Sequence, residues 1–147
     1  MKLPRYQFES DDILTTFEFI SDGHKGLITK IVQYGATNLK DVYNLGFGDK
    51  NPVTGEVDDK IVSNNGDGEK VLATVVATIY AFTHKNPDAL IYISGSTKSR
   101  TRLYRMGITK YFSEIKDDFE LNGQINSEWE LFRNGINYDA FLIERKK

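Results

Sequence analysis

The chain has 147 residues, a formal net charge of -2, 39% hydrophobic residues and 27% charged residues. These values are ordinary for a folded soluble protein; they exclude a disordered chain and give no overall positive charge for binding nucleic acid. Cysteine is absent, which excludes disulfides, thiolate metal sites and cysteine nucleophiles. The first residues lack the apolar core of a signal peptide, and no apolar run is long enough to span a bilayer. We therefore expect one cytoplasmic domain, residues 1–147, that makes no membrane contact.

Strands dominate the first part of the chain. Residues 13–20 and 27–34 are rich in β-branched and aromatic side chains, and the turn residues 21–24 between them predict an antiparallel hairpin. A third strand is expected at 41–47. A connection rich in Gly, Asn and Pro follows, and then a short strand at 57–62.

Two helices and a strand are predicted next. Apolar side chains recur at one-turn spacing over 71–80, which predicts a helix that ends before Pro87. A buried strand is expected at 89–93. It leads into a second helix at 97–110, with Met106 facing inward.

The last elements complete an α+β fold. Residues 129–132 and 138–143 are predicted to form a hairpin around the Asn134-Gly135 turn. The element order is then β-β-β-β-α-β-α-β-β, in a mixed, mostly antiparallel sheet with two main helices. The strand-helix-strand crossover over 57–93 favours one parallel pair.

Positive charge is concentrated near the start of the second helix. No acidic residue lies between Asp88 and Glu114, although the chain as a whole is slightly acidic. The candidate contacts to an anion are Ser96, Lys98, Arg100, Arg102 and Arg105. Three of these cations recur at i, i+4 and i+7, so they share one helix face that could bind phosphate, an RNA backbone or an acidic protein surface. The alternative is a solvated helix face paired with nearby acids.

Three segments of the chain resemble the GNAT superfamily of acyl-CoA N-acyltransferases. They are the Ser-Asn-Asn-Gly-Asp-Gly loop at 63–68, the loop and helix at 97–108, and the closing strand at 138–143. The resemblance implies an acetyl-CoA site whose candidate cofactor contacts are Asn65, Gly66, Gly68 and Thr97. It also implies that Tyr104 protonates the departing CoA thiolate as a general acid. The chain also resembles small uncharacterised bacterial proteins that share the Asn-Asn-Gly-Asp and Arg-x-Arg-Leu-Tyr-Arg patterns.

Other roles are open for these residues. Tyr104 could be a tyrosine at the edge of the core, and Gly66 and Gly68 could belong to a turn that places Asp67 at a helix N-cap. The loop also carries Ser63 where the family has Arg or Gln, and two carboxylates beside the expected pyrophosphate.

Three hypotheses for function follow. The first is a degenerate acyltransferase-like protein that binds an anionic ligand or partner through the loops at 63–69 and 94–105 without catalysis. The second is an acetyl-CoA-dependent N-acetyltransferase. The third is an accessory module that binds RNA or protein. No metal site is predicted, because neither histidine has a partner at ligand spacing.

Overall fold

The structure is a computed structural model that describes residues 4–58, 63–95 and 98–147, without the side chains of Ser99, Arg100 and Leu103. The described residues form, in chain order, β1 (Glu9–Ser10), β2 (Thr16–Gly23), β3 (Gly26–Ala36), β4 (Val42–Asp49), α1 (Gly68–Lys85), β5 (Leu90–Ile93), α2 (Lys98–Ile115), β6 (Phe119–Ile125), β7 (Glu128–Leu131) and β8 (Ala140–Arg145). Among these, no helix is both long and apolar enough to cross a bilayer.

The strands form one eight-stranded sheet in the order β1-β2-β3-β4-β5-β8-β6-β7. β4 and β5 are parallel, whereas the ladders β1–β2, β2–β3, β5–β8, β6–β8 and β6–β7 are antiparallel. The predicted α+β class with a mixed, mostly antiparallel sheet and two helices is confirmed.

Contacts divide the chain into two compact units. The first unit comprises Met1–Gly35 and Gly46–Asn86, and the second comprises Ala36–Leu45 and Pro87–Lys147. The expectation of a single domain stays a prediction.

An aromatic core joins α1 to the strands of the first unit. Phe17 is fully buried, and the Tyr34 ring stacks on Phe82 of α1 at a centroid distance of 4.2 Å. The Tyr34 hydroxyl lies 2.9 Å from Oγ1 of Thr78. Burial raises the pKa of Tyr34, so its phenol stays neutral and serves as a hydrogen-bonding group within the core.

The first hairpin turns later than predicted. β2 and β3 pair up to Gly23 and Gly26, which leaves His24 and Lys25 as the turn. Gly26 has a φ of +90°, which favours glycine. The turn lies at His24-Lys25 because the side chain of Asn65, distant in the chain, forms hydrogen bonds with Lys25 and Gly26.

The parallel partner of β5 is β4 and not the predicted strand at 57–62. β5 pairs with β4, the third long strand, over Val42–Asn44 and Leu90–Tyr92. The short strand expected at 57–62 lies mostly outside the described residues; Val57 forms an isolated bridge with Lys50. α1 runs from Gly68 to Lys85, so it includes the predicted periodic residues 71–80 and ends before Pro87 as predicted.

The core of the second unit lies between α2 and the strands β5, β8 and β6. Ile91 and Ile143 are register partners with at most 1% exposure, and Tyr111 and Ile115 bury one face of α2. Met106 is 59% exposed, so its predicted inward position is wrong. Helical spacing instead places Tyr104, Tyr111 and Ile115 on the buried face.

The final predicted hairpin is also wrong. β7 pairs with β6, and β8 pairs with β5 and β6 rather than with β7. The tight turn is Asn126-Ser127, where both residues have positive φ, as a type I′ turn requires. β7 carries the exposed Trp129, whose ring contacts Tyr92 edge-on at 6.1 Å.

Candidate functional site

A surface cavity of about 650 Å³ lies beside the first turns of α2 in the second unit. Its lining residues come from the loop before α2, from α2 itself and from the segment that leads into β8. They are Gly95, Lys98, Thr101, Arg105, Asn137, Tyr138 and Asp139. The cavity therefore includes part of the basic cluster that the sequence predicts.

A short hydrogen-bond link holds the loop against the helix. The backbone N–H of Gly95 donates to Oγ1 of Thr101 at 3.1 Å. The same hydroxyl lies 3.4 Å from the carbonyl oxygen of Gly95. This link fixes the end of β5 relative to the first turn of α2, and so fixes one wall of the cavity.

Tyr138 positions the opposite wall. The side chain is fully buried, and its hydroxyl donates to Oε2 of Glu130 at 2.8 Å. Burial and the hydrogen bond to Glu130 raise the pKa of Tyr138, so the phenol remains a neutral donor. The backbone of β6 comes so close that a Cβ atom on Gly123 would lie 2.4 Å from Cδ1 of the ring.

Arg105 connects the two walls. Its Nη1 donates to the carbonyl oxygen of Tyr138 at 3.3 Å, which orients the half-buried guanidinium. Lys98 and Arg105 carry two positive charges at the cavity, and Asp139 carries one negative charge, so the lining has a net charge of +1. The first turn of α2 contains no acidic residue that would offset the positive end of the helix dipole.

The structure brings together only some of the predicted anion contacts. Lys98 and Arg105 line the cavity, whereas Arg102 is exposed and is not part of the lining. Ser96 and Thr97 lie outside the described residues, as does the side chain of Arg100. Their predicted roles stay predictions.

Tyr104, the predicted general acid, lies on α2 but does not line this cavity. It is 9% exposed, which places its ring in the core of the second unit. Its proposed catalytic role is untested.

The predicted cofactor contact Asn65 is buried and has structural bonds. Its Oδ1 accepts from the backbone N–H of Lys25 at 2.6 Å, and its Nδ2 donates to the carbonyl oxygen of Gly26 at 2.8 Å and to Oγ of Ser21 at 3.1 Å. Its backbone carbonyl accepts from the N–H of His24 at 3.2 Å. The Asn65 side chain thus holds the β2–β3 turn, and its amide is not free for a ligand.

The two predicted glycine contacts, Gly66 and Gly68, differ in how closely other atoms approach them. Gly66 has a φ of +79°, and a Cβ atom there would lie 2.7 Å from Nδ1 of His24, so local packing accounts for this glycine. A Cβ atom on Gly68 would meet nothing within 4 Å. Gly68 is the first residue of α1.

Asp67 occupies the N-cap of α1, but its side chain makes no capping bond. Its Oδ2 instead accepts from the hydroxyls of Tyr6 and Ser21, each at 2.5 Å. Burial raises the pKa of Asp67, but the hydrogen bonds from Ser21 and Tyr6 outweigh it and lower the pKa below its ordinary value. Asp67 therefore anchors the N-terminal segment.

The loops at 63–69 and 94–105 belong to different compact units. The shared cleft that the sequence predicts between them stays a prediction. The cavity beside α2 is formed by residues of the second unit alone.

Sequence reasoning missed the segment 137–139, which supplies nearly half of the lining. The sequence assigns most of this segment to a strand. Local periodicity does not show that the strand packs beside α2, which is distant in the chain. It also missed the buried pair of Lys30 and Asp49 in the first unit, in which the ammonium contacts the carboxylate and the carbonyl oxygen of Ser63.

Comparison with known proteins assigns a family but no activity. Searches of curated proteins and of solved structures gave no match. Membership of the GNAT superfamily is therefore a proposal and not a finding. A family model matches residues 2–146, and the chain belongs to that family, a family of unknown function designated DUF6934.

Proposed function

We propose that this protein binds a small phosphate-bearing anion in the cavity beside α2. The observation that carries the proposal is the convergence of Lys98, Arg105 and the first turn of α2 on one cavity. Helix N-termini and guanidinium groups both favour oxygen anions. No catalytic step is required.

The orientation of Arg105 supports this proposal. One of its N–H groups is held by the carbonyl oxygen of Tyr138, which reduces the freedom that the side chain would lose on binding. A planar guanidinium can then offer two parallel donors to a phosphate, while Lys98 adds a mobile point charge. Asp139 opposes any anion near it and would favour binding toward the α2 side of the cavity.

The size of the cavity is also suitable. About 650 Å³ lies within the range of about 300–1,000 Å³ that is common for small-molecule sites. The cavity could hold a phosphate together with an attached organic group. It lies on the surface, so the ligand would keep part of its hydration.

One observation favours the acyltransferase hypothesis as a second candidate. β4 and β5 form a parallel pair over Val42–Asn44 and Leu90–Tyr92. A parallel pair of strands is the setting in which the GNAT resemblance places the CoA thiolate and Tyr104. Acetyl-CoA would then be the phosphate-bearing ligand.

Calorimetric titration tests both candidates. Pyrophosphate and acetyl-CoA are titrated into the wild-type protein and into the Lys98→Ala, Arg105→Ala and Arg102→Ala variants. Loss of one charge-assisted hydrogen bond should weaken binding about 10-fold to 100-fold in the first two variants. Arg102→Ala is the matched control on the same helix and should bind like the wild type.

The outcomes separate the hypotheses. Saturable binding of acetyl-CoA, followed by transfer activity that Tyr104→Phe abolishes, would support the enzyme. Salt-sensitive binding of a short RNA that Arg102→Ala also weakens would support the nucleic-acid module instead. The absence of heat with every anion at low salt would refute the proposed site.

A further inference from the structure

A second cavity, of about 620 Å³, lies in the first unit between the N-terminal segment and the outer edge of β2. The N-terminal segment is held in place at Tyr6, whose backbone N–H donates to Oγ1 of Thr74 at 2.8 Å and whose hydroxyl donates to Asp67. The cavity is therefore bounded on one side by an anchored stretch of chain. It shares no lining residue with the cavity beside α2.

The open backbone edge of β2 faces this cavity at Ile20. The carbonyl oxygen of Thr16 accepts from the N–H of Asp11, and the N–H of Asp22 donates to the hydroxyl of Tyr6. Even-numbered residues of β2 therefore direct their backbone groups away from β3, since backbone groups alternate along an antiparallel strand. Ile20 lies between Thr16 and Asp22 in this series and lines the cavity.

In the described part of the chain, no strand pairs with β2 at Ile20 on this side. The β1–β2 ladder consists of Glu9 paired with Glu18 and Ser10 paired with Phe17, so it ends before Ile20. Within residues 4–58, 63–95 and 98–147, neither the N–H nor the C=O of Ile20 has a protein partner on this side. An unpaired donor and acceptor on a strand edge can accept one more peptide group.

Two cations, Arg5 and Lys70, line the cavity. Nζ of Lys70 lies 4.3 Å from the centroid of the Tyr6 ring, and the guanidinium carbon of Arg5 lies 5.2 Å from that of Phe8. In the described part of the chain, neither cation forms an ion pair with a carboxylate. Both are available to a carboxylate of a ligand.

Two carboxylates, Glu9 and Glu18, also line the cavity. Glu9 and Glu18 are direct cross-strand partners, and like charges in this position are destabilising. Nζ of Lys50 contacts Glu18 at 2.7 Å and neutralises one of them, which leaves Glu9.

We propose that this cavity binds a free dipeptide as a short strand beside β2. Its peptide carbonyl would accept a hydrogen bond from the outward N–H of Ile20, its carboxylate would lie near Lys70 and Arg5, and its ammonium would lie near Glu9. An extended dipeptide spans about 7 Å and is small enough for a cavity of about 620 Å³. Its apolar side chains would contact the half-exposed Ile20.

Titration with leucyl-leucine and two capped forms tests the proposal. N-acetylation removes the ammonium charge, and C-terminal amidation removes the carboxylate charge, while both keep the central peptide group. Each cap should weaken binding about 10-fold, because each removes a charge-assisted contact. Equal binding of all three peptides would overturn the proposal, as would the absence of heat with leucyl-leucine at millimolar concentration.

Variants then locate the site. Lys70→Ala should weaken leucyl-leucine about 10-fold, whereas Lys25→Ala, an exposed lysine outside the cavity, should not. Ile20→Pro removes the outward N–H, although it also fixes φ at this residue, and it should abolish binding, with Ile20→Val as its control. Circular dichroism checks folding, and if Ile20→Pro fails to fold, Lys70→Ala and the capped peptides decide. Binding unchanged in Lys70→Ala would refute the assigned site, independently of any result with pyrophosphate.

Discussion

Replacing Lys30 by methionine should strongly destabilise the protein. Lys30 is 2% exposed, and its ammonium contacts the carboxylate of Asp49, which is 9% exposed, and the carbonyl oxygen of Ser63 at 2.9 Å. The methionine variant leaves that carboxylate buried without its cation. Breaking such a pair costs about 3–5 kcal/mol. This is a large part of the roughly 5–15 kcal/mol by which domains are stable.

Urea unfolding followed by circular dichroism measures this cost. The double variant Lys30→Met/Asp49→Asn removes both charges. Its loss in free energy of unfolding should be about 2 kcal/mol smaller than the summed losses of Lys30→Met and Asp49→Asn. Lys50→Met is the matched control, because the Lys50–Glu18 pair is about one-third exposed and should contribute less than about 1 kcal/mol. If Lys30→Met loses no more than Lys50→Met, the buried pair does not have the energetic role assigned to it.

Four further predictions concern single side chains. Gly123→Ala should cost about 1–3 kcal/mol in thermal or urea unfolding, because its Cβ atom would overlap the buried ring of Tyr138. Gly68→Ala should instead stabilise by about 0.5–1 kcal/mol, since that Cβ atom meets nothing; a loss would contradict the described surroundings. Tyr34→Phe should cost about 1 kcal/mol in urea unfolding through the lost hydrogen bond within the core, and no change would show that this bond is dispensable. Because the pKa of Asp67 is lowered on folding, its stabilising contribution is present above its ordinary pKa of 3.8 and is lost as pH falls through the lower folded value. The stability difference between wild type and Asp67→Asn should therefore shrink below pH 3.8, and a constant difference would argue against this role.

Elements with a strong local period could be predicted from the sequence. The apolar spacing of α1 and the Asn86-Pro87 stop give its observed end at Lys85. The sequence does not predict β6, because its segment is acidic and polar, although Phe119 and Leu121 alternate with exposed or half-exposed residues in the strand period of two. The β6–β7 turn at Asn126-Ser127 carries a weaker signal than Asn134-Gly135, and tertiary pairing decided between them.

The candidate site could be predicted only in part. The charge pattern indicated Lys98 and Arg105, because both lie on the face of one helix. The sequence predicts Asn65 as a ligand contact, but an asparagine in a turn before a helix suits a structural role equally well. Only the hydrogen bonds of Asn65 to the β2–β3 turn distinguish the two roles. Burial of Lys30 had no local signal at all, because its partner Asp49 lies on the next strand.

The position of Trp129 has a practical consequence. It is the chain's one tryptophan, it lies on β7 in the second unit, and its ring contacts Tyr92 of the same unit. Tryptophan fluorescence therefore reports on the second unit alone, whereas the circular dichroism of the peptide groups averages over both units. Denaturation followed by the two spectroscopic probes in parallel would show directly whether the two halves melt in one cooperative step.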